Sequence, residues 1–418
     1  MPLGIPRQLI PQRAPGDLLL DLRPCGFDRC GVHGFPPFVS GGGSRYSISS
    51  WDAVSSLNGA AGPTTVQARP AVLASLGGRV KERTAPNRGW RAVTIRVALA
   101  GDTMLGRGVA RRLLQDPDRP LFAPEVTAAA RGADLFVLNL ECCISARGER
   151  WRDPGKPFFF RAPPVAAERL RELGVDTVTL ANNHALDYGS EALADTCAHL
   201  DRAGIAWVGA GPDEVTARRP QVVKAGGMRV AIVGFADHPP AFAAGRDRPG
   251  IAHVDLAREV PGWLRNAIDQ VDADLVLLTP HWGPNMVPAP VPQVRRAAQR
   301  LVDAGAGLIA GHSAHVFHGA AQAGDSLVLY DLGDFIDDYA VEETLRNDLG
   351  LLWLLDIGDQ GPVRLEAVPL ALDFCFTRVA KPHEAAWIAA RLRRACAEFG
   401  TAVRERDGRL LVGMKEVG

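Results

Sequence analysis

Short runs of apolar residues recur along the chain from residue 93 onwards, and most of them end at a polar or ionisable side chain. The strand-like runs are 93–99, 135–138, 177–181, 206–208, 228–234, 275–279, 308–310 and 327–330. Between them lie stretches with the periodicity of amphipathic helices, at 107–115, 121–131, 164–173, 189–203 and 291–304. Because such short apolar runs are typical of strands buried on both faces, this alternation predicts an α/β fold with helices outside its sheets.

The residues that follow these runs carry the candidate chemistry. In α/β sheets the loops at the carboxyl ends of the strands converge, so these side chains are expected in one cleft. They are Asp102, Glu141, Asn183, His184, His281, His312 and His315. Carboxylates and imidazoles together suit Zn, Mn or Fe, and a pair of such ions can polarise a substrate oxygen. The sequence therefore predicts a site for one or two divalent transition metals.

Several of these residues also have a purely structural explanation. Asp102 could cap the helix that follows it, Asn183 could serve a turn, and His281 could be packed in the core. The histidine pair at 312 and 315 is harder to explain in this way and favours metal or catalytic use.

Composition changes near residue 90. The first 90 residues contain 13 glycines and 10 prolines, a density that interrupts any regular periodicity. We therefore expect a largely disordered extension at 1–92, an α/β domain at 93–375 and a helical tail at 376–418 that docks on it. In the tail, residues 384–400 read as an amphipathic helix with Arg391, Arg393 and Arg394 on its outer face.

Charge and apolar content exclude some classes of partner. The chain has 47 basic and 47 acidic residues, so no excess of positive charge favours binding to nucleic acid. It contains no apolar run of about 18 residues, which predicts no transmembrane segment. No secretory signal is recognisable near the start, so a cytoplasmic location is expected.

Five short motifs, taken in order, resemble those of CapA-type capsule-synthesis proteins. They are Gly101-Asp-Thr-Met-Leu-Gly-Arg107, Asn139-Leu-Glu141, Ala181-Asn-Asn-His-Ala-Leu-Asp-Tyr-Gly189, His281-Trp-Gly283 and Gly311-His-Ser-Ala-His315. The resemblance covers residues 93–338. It implies a role in the synthesis of poly-γ-glutamate or a similar capsule polymer, and a location at the cell envelope. It also implies a layered α/β sandwich of mixed sheets flanked by helices, like that of calcineurin-like metallophosphoesterases.

The resemblance assigns a role to each candidate residue. Asp102, Glu141 (as the bridging acid), Asn183, His281, His312 and His315 would be metal ligands. His184 would be the general acid or base. Asp187 lies three residues further along, one helical turn away, and is expected to orient the imidazole of His184.

Two features of the chain depart from the metallophosphoesterase pattern. Met104 stands where that pattern has a histidine ligand, and Ser313 stands within the closing histidine motif. One metal position is therefore short of a ligand. Beside the site, Arg107 and Arg161 are candidate substrate-binding residues for an anion, as is Lys156.

Three functions remain open from the sequence. The first is a CapA-like, metal-dependent hydrolase-type protein that acts on an anionic polymer such as polyglutamate. The second is a general metallophosphoesterase of small phosphate esters. The third is a non-catalytic, polymer-binding scaffold that retains the fold.

Overall fold

The computed structural model describes residues 95–359 and 361–413, and the predicted extension at 1–92 lies outside them. Strands and helices alternate along most of this range, as the apolar pattern predicts. The strands are β1 (Ile95–Thr103), β2 (Leu135–Leu140), β3 (Cys143–Ile144), β4 (Arg161–Ala162), β5 (Thr177–Thr179), β6 (Ala206–Val208), β7 (Ala210–Gly211), β8 (Gln221–Ala225), β9 (Met228–Ala236), β10 (Gly250–Ile251), β11 (Leu275–His281), β12 (Leu308–Ala310), β13 (Ala320–Ala323), β14 (Ser326–Leu329), β15 (Asp334–Ile336), β16 (Leu349–Gly358), β17 (Gly361–Asp373), β18 (Phe376–Val379), β19 (Val403–Arg406) and β20 (Arg409–Val412). The α-helices are α1 (Arg107–Gln115), α2 (Pro124–Arg131), α3 (Val165–Leu173), α4 (Gly189–Ala203), α5 (Glu214–Ala217), α6 (Gly262–Asp269), α7 (Pro292–Asp303) and α8 (Pro382–Ala397).

The larger sheet is mixed and is centred on β1. Its strands run in the order β19-β20-β17-β16-β1-β2-β5-β6, with β15 added to β1 and β18 to β17. The strands β1, β2, β5 and β6 pair in parallel, and β16 runs antiparallel to β1. The four parallel strands therefore carry their carboxyl ends to the same edge of the sheet.

The smaller sheet repeats this plan, with strand order β13-β14-β12-β11-β9-β8. Its central strands β9, β11, β12 and β14 are parallel, and the outer strands β8 and β13 are antiparallel. Both sheets thus have a parallel centre and at least one antiparallel flank.

The main core lies between the two sheets. Alternate residues of β1 face opposite sides, as the pleat requires. Ile95, Val97 and Leu99 pack with Ile232 and Leu277 of the smaller sheet. The intervening alanines of β1 belong to a second core that includes residues of α1, α2, α3 and α4. A third core joins the other face of the smaller sheet to α6 and α7. The layered α/β sandwich predicted from the sequence is therefore confirmed.

The segment after residue 375 contains more than the predicted helix. Helix α8 begins at Pro382 rather than at residue 384 and ends at Ala397. Behind it, β19 and β20 form a hairpin that pairs with β17 and extends the larger sheet. The domain boundary at 375 stays a prediction.

The expectation that Arg391 faces outward is wrong. Its side chain is buried, with the guanidinium 5.2 Å from the ring centroid of Phe317 and 5.6 Å from that of Trp387. Long arginine side chains can cover apolar surface in this way, which a helical periodicity based on charge does not reveal. Arg393 and Arg394 are exposed, as expected.

None of the helices within residues 95–359 and 361–413 has the length and apolar character that a membrane span requires.

Candidate metal centre

The ends of five strands from both sheets bring the predicted residues together. In the larger sheet, Asp102 lies near the end of β1, Glu141 follows β2, and Asn183 with His184 follows β5. In the smaller sheet, His281 ends β11, and the histidine pair at 312 and 315 follows β12. Asp102 Oδ1 lies 3.7 Å from His312 Nδ1, although 210 residues separate them in sequence. The cleft therefore lies where the two sheets meet, as the convergence of strand ends predicts.

A close backbone approach and a strained loop shape this edge. A Cβ atom at Gly101 would lie 1.9 Å from the carbonyl oxygen of Gly333, so only glycine allows the two segments to meet there. The loop after β12 is strained, with positive φ values of 118° at Ser313 and 59° at His315. Non-glycine residues held in such conformations cost about 1–3 kcal/mol each and are common at functional sites.

The first group of donors, which we call the carboxylate position, consists of Asp102, Glu141, His315 and Asp334. One atom from each lies within 4.8 Å of the others. His315 Nδ1 is 2.8 Å from Asp334 Oδ1, 3.2 Å from Asp102 Oδ2 and 3.9 Å from Glu141 Oε2. All four residues are buried. Three carboxylates thus surround one imidazole.

The second group, the imidazole position, consists of Asp102, His281 and His312, again with donor atoms within 4.8 Å. The Nδ1 atoms of the two histidines are 2.8 Å apart, so one ring donates a hydrogen bond to the other. This pairing leaves Nε2 of each ring for another partner. Asp102 belongs to both groups and is the residue that could link two ions.

Several donor atoms of this cleft are buried and have no hydrogen-bond partner. They are Glu141 Oε1, Asn183 Oδ1, His281 Nε2, His312 Nε2 and Asp334 Oδ2. Leaving a buried polar atom unpaired costs about 1–3 kcal/mol, so proteins seldom tolerate several of them side by side. A divalent metal would take up unpaired carboxylate oxygens and an imidazole nitrogen of this kind, and the donor groups therefore fit a divalent metal.

The electrostatics of the cleft agree with this interpretation. Burial and the neighbouring His312 hold the pKa of His281 well below its usual value, and burial brings the pKa of His312 to about 4. Both imidazoles are therefore neutral at pH 7, the form that binds metals. Burial, reinforced by the charge of Asp102, raises the pKa of Glu141, and burial also raises that of Asp334. The charge of His315 offsets both of these pKa shifts only in part.

His315 behaves in the opposite way. Burial alone would lower its pKa, but the carboxylates of Asp334, Glu141 and Asp102 outweigh burial and raise the pKa well above the usual value. The three carboxylates of the carboxylate position therefore favour a positive charge between them. A divalent cation would supply that charge in place of the proton on His315.

Two asparagines hold the ligands in place, and sequence analysis did not identify them. Asn139 donates from Nδ2 to Asp102 Oδ1 at 2.7 Å, and Asn182 donates to Asn139 Oδ1 at 2.9 Å. Asn182 Oδ1 in turn accepts the backbone N–H of His184 at 3.0 Å. A buried asparagine inside the apolar strand β2 was the signal that could have revealed the first of them.

The predicted pair of His184 and Asp187 lies beside the donors. His184 Nδ1 is 2.7 Å from Asp187 Oδ2, and the imidazole stacks on the ring of Phe160 with centroids 4.0 Å apart. Lys156, predicted as an anion-binding residue, instead contacts this pair: its Nζ is 2.9 Å from Asp187 Oδ1 and donates to the carbonyl of Asn183 at 2.8 Å. The ammonium group of Lys156 is thus already paired with residues of the cleft.

The two predicted substrate-binding arginines have different surroundings. The Arg107 guanidinium lies 3.1 Å from Asp338 Oδ1 and within 5.8 Å of the ring centroids of Phe160 and Tyr339. The Tyr339 hydroxyl donates to Glu141 Oε2 at 3.3 Å, which places Arg107 at the rim of the cleft. Arg161 instead donates to the carbonyls of residues 147 and 148 and stacks over Tyr188. Its substrate-binding role stays a prediction.

Comparisons with known proteins agree with the family resemblance. Residues 96–339 match the family described as "Bacterial capsule synthesis protein PGA_cap". A "Probable polyglutamine synthesis accessory protein" of Mycobacterium tuberculosis is 32% identical over 366 residues, covering 76% of this chain and 95% of that protein. The "Capsule biosynthesis protein CapA" of Bacillus anthracis is 27% identical, covering 69% of this chain and 70% of its own. Among solved structures, a 5'-nucleotidase precursor from Thermus thermophilus aligns with a TM-score of 0.36 and 14% identity, covering 70% of this chain and 55% of that one.

Proposed function

Because the chain belongs to the family of bacterial capsule synthesis proteins, we propose that it serves the synthesis of an anionic capsule polymer and carries a metal-dependent hydrolase-type site for it. Poly-γ-glutamate is the polymer that the names of its relatives favour, since they refer to polyglutamine, capsule and PGA synthesis. Such a chain offers amide bonds to cleave and one carboxylate per residue to recognise.

The observation that carries this proposal is the set of unpaired buried donors. Two groups of ligand atoms share Asp102, and five donor atoms in the cleft lack a partner. A protein that only held a polymer on its surface would have no need of such buried donors, whereas a metal centre is built from donors of this kind.

In this proposal the metal ligands are Asp102, Glu141, Asn183, His281, His312 and His315. When bound to them, one or two divalent transition metal ions supply Lewis-acid chemistry at the substrate carbonyl or phosphoryl group. The shared carboxylate of Asp102 suits it to a bridging role, which the sequence resemblance gives to Glu141.

His184 is the candidate general acid or base. Asp187 engages Nδ1 of the ring, so Nε2 is the nitrogen that can exchange a proton with substrate. In hydrolysis of a γ-glutamyl amide, water adds to the carbonyl carbon and the C–N bond breaks, so a proton lost by the water must reach the departing nitrogen, and Nε2 can accept and then return it. Stacking on Phe160 and the contact to Asp187 hold the ring in one orientation for that transfer.

Arg107 is the candidate anchor for a substrate carboxylate. Its guanidinium is about one-third exposed and lies at the rim, among aromatic rings that limit its movement. An anionic polymer could exchange for Asp338 there without disturbing the donors below.

The test uses the purified full-length chain and a His312→Ala variant, with His383→Ala as the control because His383 is exposed on α8. Metal content is measured first, and then hydrolysis of poly-γ-glutamate and of a phosphodiester. We expect metal and poly-γ-glutamate turnover in the wild type and in His383→Ala. In His312→Ala we expect loss of turnover together with loss of the metal at the imidazole position.

Other outcomes point to the alternatives. Turnover of the phosphodiester alone would favour a general metallophosphoesterase, and bound metal without turnover would favour a polymer-binding scaffold. The cytoplasmic location expected from the sequence also stays a prediction, and cell fractionation tests it against the envelope location that the names of the relatives favour.

A further inference from the structure

Asp334 lies at the centre of the cleft because its strand pairs with a strand that is distant in sequence. Strand β15 pairs in parallel with the end of β1, with Asp334 in register with Asp102. The close approach of residues 101 and 333 makes this pairing possible. Asp334 is 1% exposed, and its Oδ1 lies 2.8 Å from His315 Nδ1. Its second oxygen, Oδ2, is buried without a hydrogen-bond partner.

Met104, two residues after Asp102, does not contribute to this position. Its side chain is fully buried in the core beside α1 and α3, and its sulfur accepts a hydrogen bond from the backbone N–H of Gly106 at 3.1 Å. The thioether sulfur of Met104 is therefore hydrogen-bonded within its own turn. Asp334 is the residue that brings a fourth donor to Asp102, Glu141 and His315.

The two positions consequently differ in chemistry. The carboxylate position offers oxygens from three acids and one imidazole, whereas the imidazole position offers two imidazoles and the shared Asp102. Oxygen-rich sets suit hard cations such as Mn²⁺ and Mg²⁺, and imidazole suits Zn²⁺. Two positions with the same donors would not differ in this way in the ions that they prefer.

We propose that Asp334 is a metal ligand of the carboxylate position, and that the two positions select different ions, Mn²⁺ at the carboxylate position and Zn²⁺ at the imidazole position. The inference rests on the proposed metal centre and does not depend on which substrate is cleaved. The Asp334 carboxylate raises the preference for Mn²⁺ relative to Zn²⁺ at its own position only.

Metal binding to the full-length apoprotein tests this division without any assay of turnover. Mn²⁺ and Zn²⁺ affinities are measured by calorimetry and by competition with a chromophoric chelator for the wild type, Asp334→Asn and His312→Ala. Asp334→Asn should weaken Mn²⁺ binding on the order of 10–100-fold or more and change Zn²⁺ binding less than about threefold. His312→Ala should show the reverse.

The matched control is Asp338→Asn, which makes the same chemical change in a buried carboxylate four residues away. Asp338 contacts Arg107 and the backbone N–H of Gly108, outside both donor groups, so its variant should keep both affinities. Equal losses of Mn²⁺ and Zn²⁺ in Asp334→Asn, or Mn²⁺ affinity unchanged within a factor of two, would overturn the assignment.

A measurement on the wild type covers the case in which Asp334→Asn does not fold. With one equivalent of Mn²⁺, electron spin-echo spectroscopy should detect coupling to a single imidazole nitrogen, from His315. Coupling to two imidazoles would place Mn²⁺ at the imidazole position and refute the proposal. An inactive protein with this signature would contradict the proposed hydrolysis only, so the two failures are distinguishable.

Discussion

At the scale of single residues, His184 beside the donors is held by several neighbours. Asp187 engages its Nδ1 and also accepts the backbone N–H of Phe160 at 2.6 Å, while Lys156 lies against the other carboxylate oxygen. Burial lowers the pKa of His184, an effect that Asp187 partly offsets. The imidazole is thus held in place by neighbours that are not themselves candidate ligands.

Replacing His184 should separate acid–base chemistry from metal binding. We expect His184→Ala to retain its metal and to lower turnover of the polymer roughly 10²–10⁴-fold, the usual contribution of a positioned acid or base. Metal content and rate are measured on the same preparations, with His383→Ala as the control. A metal-free His184→Ala protein would identify His184 as a ligand, and full activity would exclude it from proton transfer.

Most of the cleft could be predicted from residue types at strand ends. Asp102, Glu141, His281, His312 and His315 follow apolar runs, and the structure brings these five together. Asp334 could not be placed in the same way, because its position depends on the register between β15 and β1, some 230 residues apart in sequence. The contact of Lys156 with Asp187 likewise depends on the path of a loop, which no periodicity encodes.

At the scale of elements, the sequence predicted buried strands better than exposed ones. Helices α1 and α4 begin and end at the predicted residues 107–115 and 189–203. Strand β8 was missed because it is an edge strand whose residues are mostly half-buried or exposed. Strand β5 ends at Thr179 rather than at residue 181, since the chain turns there and Asn182 forms side-chain hydrogen bonds.

The junction between β18 and α8 offers a test of stability. Glu384, in the first turn of α8, accepts the backbone N–H of Lys381 at 2.6 Å. It also forms a two-point pair with Arg378 at 2.7 and 2.8 Å. The hydrogen bonds from Arg378 lower the pKa of Glu384 to about 2. One carboxylate therefore caps the helix and ties it to the larger sheet.

We expect Glu384→Gln to lower the free energy of unfolding by about 1–2 kcal/mol at pH 7. The folded-state pKa lies below the unfolded value of 4.5, so the contribution is complete above pH 4.5 and is lost as pH falls towards 2. Urea unfolding at pH 7, 4.5 and 3 measures it. Glu405→Gln, which breaks an exposed pair with Arg393, should cost less than about 0.5 kcal/mol. An equal loss at every pH would contradict the assignment.

At the scale of the whole molecule, the two sheets meet through a core that contains Trp353 of β16. Its side chain is fully buried, and its indole N–H has no hydrogen-bond partner. The order of the strands explains why this core could not be derived from the sequence. Strand β1 lies between β2, about 40 residues away, and β16, about 250 residues away, and apolar runs alone do not specify such pairing.

Substitutions of Trp353 separate the stability that comes from packing from the cost of burying an unpaired N–H group. Trp353→Ala should lower the free energy of unfolding by about 3–5 kcal/mol, because it leaves a cavity between the sheets. Trp353→Phe should cost less than about 1.5 kcal/mol, since the smaller ring also removes an unsatisfied donor. Denaturant unfolding monitored by circular dichroism measures both. A loss in Trp353→Phe as large as that in Trp353→Ala would contradict this expectation.

Most of the donors lie at or just after the carboxyl end of a strand, and this placement has an evolutionary consequence. A substitution at one strand end changes one ligand while the apolar strand behind it, and the remaining donors, stay in place. Ligands can therefore be exchanged one at a time. The loss of a ligand at one strand end can be offset by a new ligand at a neighbouring strand. If Asp334 is the ligand proposed above, Met104 and Asp334 would be such an exchange, one that changes the preferred ion without rebuilding the sandwich.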